Sequence, residues 1–188
     1  MGRDVAEPTL TVFLPNYNHA HFLPEALKSL EQQTYQPLEI IIVDDSSTDN
    51  SVEIIEQFAR RHKSVRFIRN EVNRGVVFNE NRAIELAAGS HFFGMSADDR
   101  IRPRLLAESM ALLAEHPQAG FCSALSDRID ESGRNQGSTQ HRLSPIVPVT
   151  FRRQMYLPRC AATARGLWVT RQFGNGKRCL IPASILRN

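Results

Sequence analysis

Cysteine is scarce in this chain. Cys122, Cys160 and Cys179 are odd in number, widely scattered and without metal-ligand spacing. That excludes a disulfide framework and a cysteine zinc site, and it makes a reducing, cytoplasmic location the expectation. No apolar run approaches the ~18 residues a membrane span needs. The N-terminal stretch Met1 to Pro8 has no apolar segment of the secretory kind. Glycine-rich phosphate motifs are missing as well. No G-x-G-x-x-G follows the first strand pattern, and Gly174-Asn175-Gly176-Lys177 lacks the rest of a P-loop. Both absences argue against a dinucleotide oxidoreductase or a P-loop enzyme. No serine sits in a G-x-S-x-G elbow. The histidines at 19, 21, 62, 91, 116 and 141 show no zinc-type clustering and read as surface or loop residues.

Acidic residues are absent from one whole region. Residues 136–188 hold nine Lys/Arg and no Asp or Glu, whereas residues 1–135 hold 14 basic and 20 acidic residues. The sequence pI near 9.0 therefore belongs to the tail and not to the bulk of the chain. A basic tail of this kind can attract anionic lipid or nucleic acid; a solvated cationic loop is the plainer alternative. Two regions follow, 1–135 and a basic C-terminal region 136–188. The remaining composition, 41% hydrophobic and 23% charged in 188 residues, suits one well-buried globular domain.

Against these absences stands Ile40-Ile41-Ile42-Val43-Asp44-Asp45-Ser46-Ser47-Thr48-Asp49. Four branched apolar residues in a row predict a strand buried on both faces, as in a parallel sheet. Two carboxylates end the run. A helix is expected from Val52, with Asn50 and Glu53 spaced as a capping box. Other segments repeat the alternation. Leu10 to Leu14 predict a strand leaving through Pro15-Asn16-Tyr17-Asn18. A helix with Phe22, Leu23, Ala26, Leu27 and Leu30 on one face follows, Pro24 lying in its first turn. Val65 to Ile68 predict a third strand. A helix with Ala83, Ile84, Leu86 and Ala87 inward is expected to end at Gly89 as its C′ residue. His91 to Met95 predict a fourth strand, closed by Ser96-Ala97-Asp98-Asp99. Pro103 opens a helix bearing Leu105, Leu106, Met110, Leu112 and Leu113. Ala119 to Ala124 predict a fifth strand, and Asp130 to Gly133 a turn. Residues 136–150 read as loop. Regular strand–helix alternation predicts an α/β, Rossmann-like open sheet, mainly parallel, with helices on both faces.

Two acidic strand ends, Asp44-Asp45 and Asp98-Asp99, can converge on one crevice at the carboxyl edge of such a sheet. Buried neighbouring carboxylates need compensation, so they are expected to face a crevice, a cation or polar ligand groups. Carboxylates there suit Mg²⁺ or Mn²⁺ with substrate phosphates completing the shell. They can equally accept hydrogen bonds from ribose hydroxyls or a base N–H, and helix capping remains the alternative for either pair.

Thr11 to Asn18, Leu30 to Tyr35, Glu39 to Asp49, Asn70 to Gly75 and Ser96 to Asp99, in that order, resemble the family 2 glycosyltransferases of GT-A fold over roughly residues 9–125. The resemblance implies a donor site for a nucleoside-diphosphate sugar, most often a UDP-sugar. It implies that Pro15 and Tyr17 line a nucleobase pocket, that Asp45 accepts the base N–H with Asp44 supporting the turn, and that Arg74 sits beside the nucleotide. Asp98 would meet ribose or phosphate, and Asp99, with Asp98, would hold the metal. The implied acceptor is a carbohydrate, a lipid-linked sugar or a protein, and nucleic acid is not among the implied partners. Two departures stand out. Many members carry Asp where this chain has Ser96. Inverting members also use a later Asp or Glu as general base, whereas the last carboxylate here is Glu131. The catalytic base is therefore unassigned: His141 is the one neutral candidate in the tail, and Asp127, Asp130 and Glu131 are expected too early, on a hairpin or turn at the sheet edge. The acceptor half reads as shortened or altered. A donor-binding module without transfer activity is the alternative, and a scaffold that docks on membrane through its basic tail is a third possibility.

Overall fold

Each apolar run becomes a parallel strand and each amphipathic stretch becomes a helix laid against it. The computed structural model describes residues 8–116, 119, 122, 124, 126–130, 132–138 and 178–180. In chain order these hold β1 Leu10–Asn16, α1 Leu23–Glu31, β2 Glu39–Asp44, α2 Ser51–Arg61, β3 Val65–Arg69, α3 Val76–Leu86, β4 His91–Gly94 and α4 Leu105–Glu115. The short strands β5 Asp127–Ile129, β6 Asn135–Ser138 and β7 Arg178–Leu180 follow. One sheet has the order β3-β2-β1-β4-β7 with every neighbouring pair parallel. A separate antiparallel pair is formed by β5 and β6.

Strands that are apolar on both sides need cover on both faces, and the register supplies it. Leu10, Val12 and Leu14 of β1 share one face with Ile40 and Ile42 of β2 and Phe93 of β4, under the apolar stripes of α1, α2 and α4. Phe13, Ile41, Val43 and Phe92 point the other way, onto Ala83, Ile84 and Ala87 at α3. The predicted architecture, mainly parallel with helices on both faces, is the one observed.

Several local expectations change. Strand β1 runs two residues past Leu14, through Pro15 to Asn16. Phe13 turns its carbonyl to β4, where the Met95 N–H donates at 2.8 Å, and Asn16 turns its carbonyl to β2, where the Asp45 N–H donates at 2.8 Å. Pro15 shares the orientation of Phe13 and has no N–H, so pairing with β4 stops while pairing with β2 continues. Asn50 makes no side-chain cap on α2; Asp49 Oδ1 accepts the Ser51 N–H instead, at 3.0 Å. Gly89 is not a C′ residue, because α3 ends at Leu86 with Ala87 as its cap. A Cβ at Gly89 would lie 2.6 Å from the Thr11 nitrogen, so close backbone approach to β1 is what demands glycine. Leu112 faces solvent, and α4 buries Leu106, Met110 and Leu113. His91 is buried on β4 and not a surface residue. β6 occupies part of the stretch read as loop; its polar residues, exposed where described, give no periodicity to detect. The strand expected over 119–124 lies largely outside the described residues. Among the described residues no helix is long and apolar enough to cross a membrane.

Candidate functional site

The sheet order places the site. From β1 the chain moves outward through β2 to β3, then returns by α3 to the other side of β1 as β4. The switch point thus lies between β1 and β4, and open α/β sheets hold ligands outside the carboxyl ends of the strands at such a point. β2 and β4 flank β1, so Asp44-Asp45 and Asp98-Asp99 both follow carboxyl ends of strands on one edge of the sheet.

Asp44, fully buried, is consumed by its own neighbourhood. Its carboxylate accepts Asn16 Nδ2 at 2.8 Å, the Ser47 N–H at 3.0 Å and the Ser47 hydroxyl at 2.6 Å. Ser47 Oγ also takes the Asn18 N–H at 2.9 Å, and Asn18 Oδ1 takes the Thr48 N–H at 2.8 Å. These bonds staple the turn after β1 to the turn after β2. Asn18 (φ 55°) and Ser46 (φ 68°) hold left-handed conformations within those turns. Tyr17, between stapled residues, is 46% exposed. Pro15 lies one residue inside the strand end.

Asp45 is buried too, and its partners come from the segment after β3. Oδ1 accepts Asn70 Nδ2 and the Arg74 N–H, each at 2.8 Å, and Oδ2 accepts the Gly75 N–H at 2.8 Å. Burial alone would raise this carboxyl, but the N–H groups of Arg74 and Gly75 and the amides of Asn70 and Asn79 outweigh it and hold the carboxyl below its usual range. Asn70 is itself held, donating to Asn79 Oδ1 at 2.7 Å and accepting Arg82 Nη1 at 2.9 Å. The expectation that the first acid pair must face a crevice or cation is therefore corrected. Compensation is required, but internal donors supply most of it. Arg74 reaches Asp45 through its backbone, while its guanidinium lies 5.4 Å from the Phe78 ring centre.

The second pair differs. After β4 the chain turns sharply, the Asp99 N–H donating to the Ser96 carbonyl at 3.2 Å. The Ser96 hydroxyl donates to Asp98 Oδ1, so the serine in an acid's place supports Asp98 instead of adding charge. Asp98 is exposed and Asp99 part-buried. Burial, and after it the charge of Asp98, push the Asp99 carboxyl up to about 6. No donor to that carboxylate exists among the described residues. Nor do those residues include a group of three potential metal ligands. A recess of about 170 Å³ adjoins Asp98 and is also lined by Arg100, Glu25 and Asp130. The hairpin reaches it because Gly133 (φ 77°) sits where a Cβ would be 2.8 Å from Arg100 Nη2. Asp130, expected at the sheet edge, thus shares a recess with Asp98. It is engaged there by the Ser132 hydroxyl, the Arg134 N–H and Gln136 Nε2, the first two of which do most to hold its carboxyl low. Asp127 is paired with Arg102. His141 and Glu131 lie outside the described residues.

The residues missed from sequence are Asn16, Ser47, Asn70 and Asn79, all buried polar side chains that organise the first acid pair. Buried amides at strand ends leave no periodic signal. Asn16 Oδ1 is buried without a donor among the described residues, beside Tyr17.

The family model for glycosyl transferase family 2 matches residues 11–176. The uncharacterised glycosyltransferase YibD of Escherichia coli is 38% identical over 106 residues, 56% of this chain and 30% of that protein. Among solved structures, Staphylococcus aureus TarS 1–349 in complex with UDP-GlcNAc aligns at TM-score 0.54 and 31% identity, covering 58% of this chain and 32% of that one. The mannosyltransferase PcManGT of Pyrobaculum calidifontis, in complex with GDP-Man and Mn²⁺, aligns at TM-score 0.54 and 28% identity over 58% of this chain and 33% of that one. The chain spans about a third of the length of three curated relatives it matches. Its sheet, with the acid pairs on its carboxyl edge, is of the GT-A type. With the family match running from β1 to beyond the hairpin, the chain belongs to glycosyl transferase family 2.

Proposed function

We propose that these residues hold a nucleoside-diphosphate sugar, a UDP-sugar first among the candidates, and pass its sugar to an acceptor hydroxyl with inversion at the anomeric carbon. The observation that carries this is Asp99: a part-buried carboxylate at the switch point, beside a second carboxylate, with no donor of its own among the described residues. A hard divalent cation fits that donor set, two carboxylates from one turn with the remaining positions left to phosphate oxygens and water. Asp99 and Asp98 would hold Mg²⁺ or Mn²⁺ there, and such a cation when bound supplies charge neutralisation for a departing diphosphate. Support comes from the neighbours, one solved with UDP-GlcNAc and one with GDP-Man and Mn²⁺.

The chain's own residues divide the binding. Tyr17 offers an exposed ring face to a base, with Pro15 stiffening the strand end behind it. Asp45 accepts a base N–H alongside its internal donors, and Asp44 fixes the turn that presents it. Arg74 lies beside the nucleotide on the segment after β3, and Asp98 meets ribose or phosphate. Residues 1–135 form the donor domain and the basic region 136–188 belongs to the acceptor side, which takes a carbohydrate, a lipid-linked sugar or a protein. Work on a nucleotide sugar in a reducing compartment puts the chain in the cytoplasm, the basic region drawing it to the inner membrane face.

A second proposal is carried by the lack of any Asp or Glu after Glu131. Asp127 is paired with Arg102, and Asp130, whose carboxyl its hairpin donors hold low, is a poor proton acceptor. These 188 residues would then bind donor without transferring it. Calorimetric titration with UDP, with and without Mn²⁺, separates the outcomes when run beside a transfer assay. Metal-dependent UDP binding lost in Asp99→Ala supports the donor site, and turnover lost in the same variant supports transfer. Binding without turnover supports the second proposal, and no UDP binding at all overturns both.

A further inference from the structure

The segment from the end of β3 into α3 carries a concentration of exposed apolar side chains. Val72, Val76, Val77 and Phe78 are between 37% and 65% exposed. Two of them, Val72 and Phe78, also line a recess of about 200 Å³ with Arg69, Arg74 and Arg82. None of these three arginines makes an ion pair among the described residues. Arg74 lies over Phe78, and Arg82 spends one N–H on Asn70, so most of their donors face outward. Glu71 lines the recess too, leaving a net charge of +2 there. Apolar tips beside unpaired guanidinium groups on one surface is an unusual pairing for a face exposed to water alone.

We propose that this face, and not only the basic C-terminal region, docks the protein on an anionic lipid surface. Arg69 and Arg82 meet headgroup phosphates, each worth about 1 kcal/mol near a charged leaflet, while Arg74 is left to the nucleotide. Valine and phenylalanine tips enter the interfacial layer, as apolar faces of peripheral proteins do. Charge complementarity favours this occupant, because an anionic leaflet offers phosphates to the arginines and an apolar layer to the valine and phenylalanine tips together. Residues 70–78 follow the carboxyl end of β3, the same edge that bears Asp45 and Asp99. Docking therefore turns that edge toward the lipid.

The test is vesicle sedimentation of the full chain, using phosphatidylcholine vesicles with and without about one-third phosphatidylserine. Val77→Glu and Arg69→Gln change exposed side chains that make no hydrogen bond among the described residues, so folding, checked by thermal melt, is expected to be unchanged. Binding to the anionic vesicles is expected at low salt, falling steeply by about 0.5 M salt. Arg69→Gln should weaken it about fivefold, and Val77→Glu by more. Three results would overturn the proposal: no binding to anionic vesicles, equal binding by both variants and wild type, or release by an excess of inorganic phosphate. A concentration-dependent dimer abolished by Val77→Glu, without vesicle binding, would assign the face to a second copy instead.

Discussion

Replacing Asp99 by Asn should stabilise the metal-free protein while removing its response to metal. In the fold this carboxyl titrates near 6, against 3.8 for the free side chain, because burial and then the Asp98 charge disfavour ionisation. Above pH 6 the folded chain must ionise a group that would rather stay neutral, which costs up to about 3 kcal/mol at 1.36 kcal/mol per tenfold change. Partial exposure of Asp99 reduces this toward about 2 kcal/mol. The sign follows from the raised value. The penalty is complete above the folded value, shrinks as pH falls from 6 to 3.8, and is absent below 3.8. Asn has nearly the same shape and no charge, so the variant should melt about 4–8 °C higher than wild type at pH 7.5 in EDTA. At pH 3.5 the two should melt together. Saturating Mn²⁺ with UDP should raise the wild-type melting temperature and leave the variant unmoved. An Asn variant less stable than wild type at pH 7.5 would refute the reasoning, since it would mean that the Asp99 carboxylate is stabilised by a partner.

Gly89→Ala should lower stability by about 2–3 kcal/mol, because the new methyl group meets the Thr11 nitrogen and the Leu10 carbonyl carbon, backbone atoms of the central strand that cannot yield. Thermal melts would show it, and an unchanged melting temperature would mean that the α3–β4 connection moves freely away from β1. Asn70→Ala should cost about 1–3 kcal/mol at pH 7 by leaving Asp45 short of a donor. Asp45 is held low, so its contribution is complete above 3.8 and fades as pH falls through its still lower folded value. The gap between wild type and Asn70→Ala, measured by urea unfolding, should therefore narrow in strong acid.

The architecture was legible because its signals are periodic. Ile40 to Val43 could be covered only by helices on both faces, and the apolar stripes of α1 and α2 supplied that cover. Signals of one or two residues fared worse. Asn50 and Glu53 have capping-box spacing, yet Asp49 makes the bond at that helix start. Gly89 has the position of a helix terminator, yet it serves a contact 78 residues away in the chain, with Thr11. A pattern over ten residues averages out local accidents, whereas a single residue's role depends on whatever the fold brings beside it.

The linear order of residues was enough to settle the alternation of strands and helices, the two acidic turns at strand ends, and the family. Those depend on side-chain period and on residue type in sequence, both local properties. Which acid is free and which is spent was decided only by folding. Ser47 donates to Asp44 locally, but Asn16 of β1 reaches Asp44 and the segment after β3 reaches Asp45 from 25 residues away or more. Asp99 meets no such donor among the described residues and instead meets Asp98. Both pairs read Asp-Asp in the chain, and what packs beside each makes one a structural clamp and leaves Asp99 without a donor among the described residues.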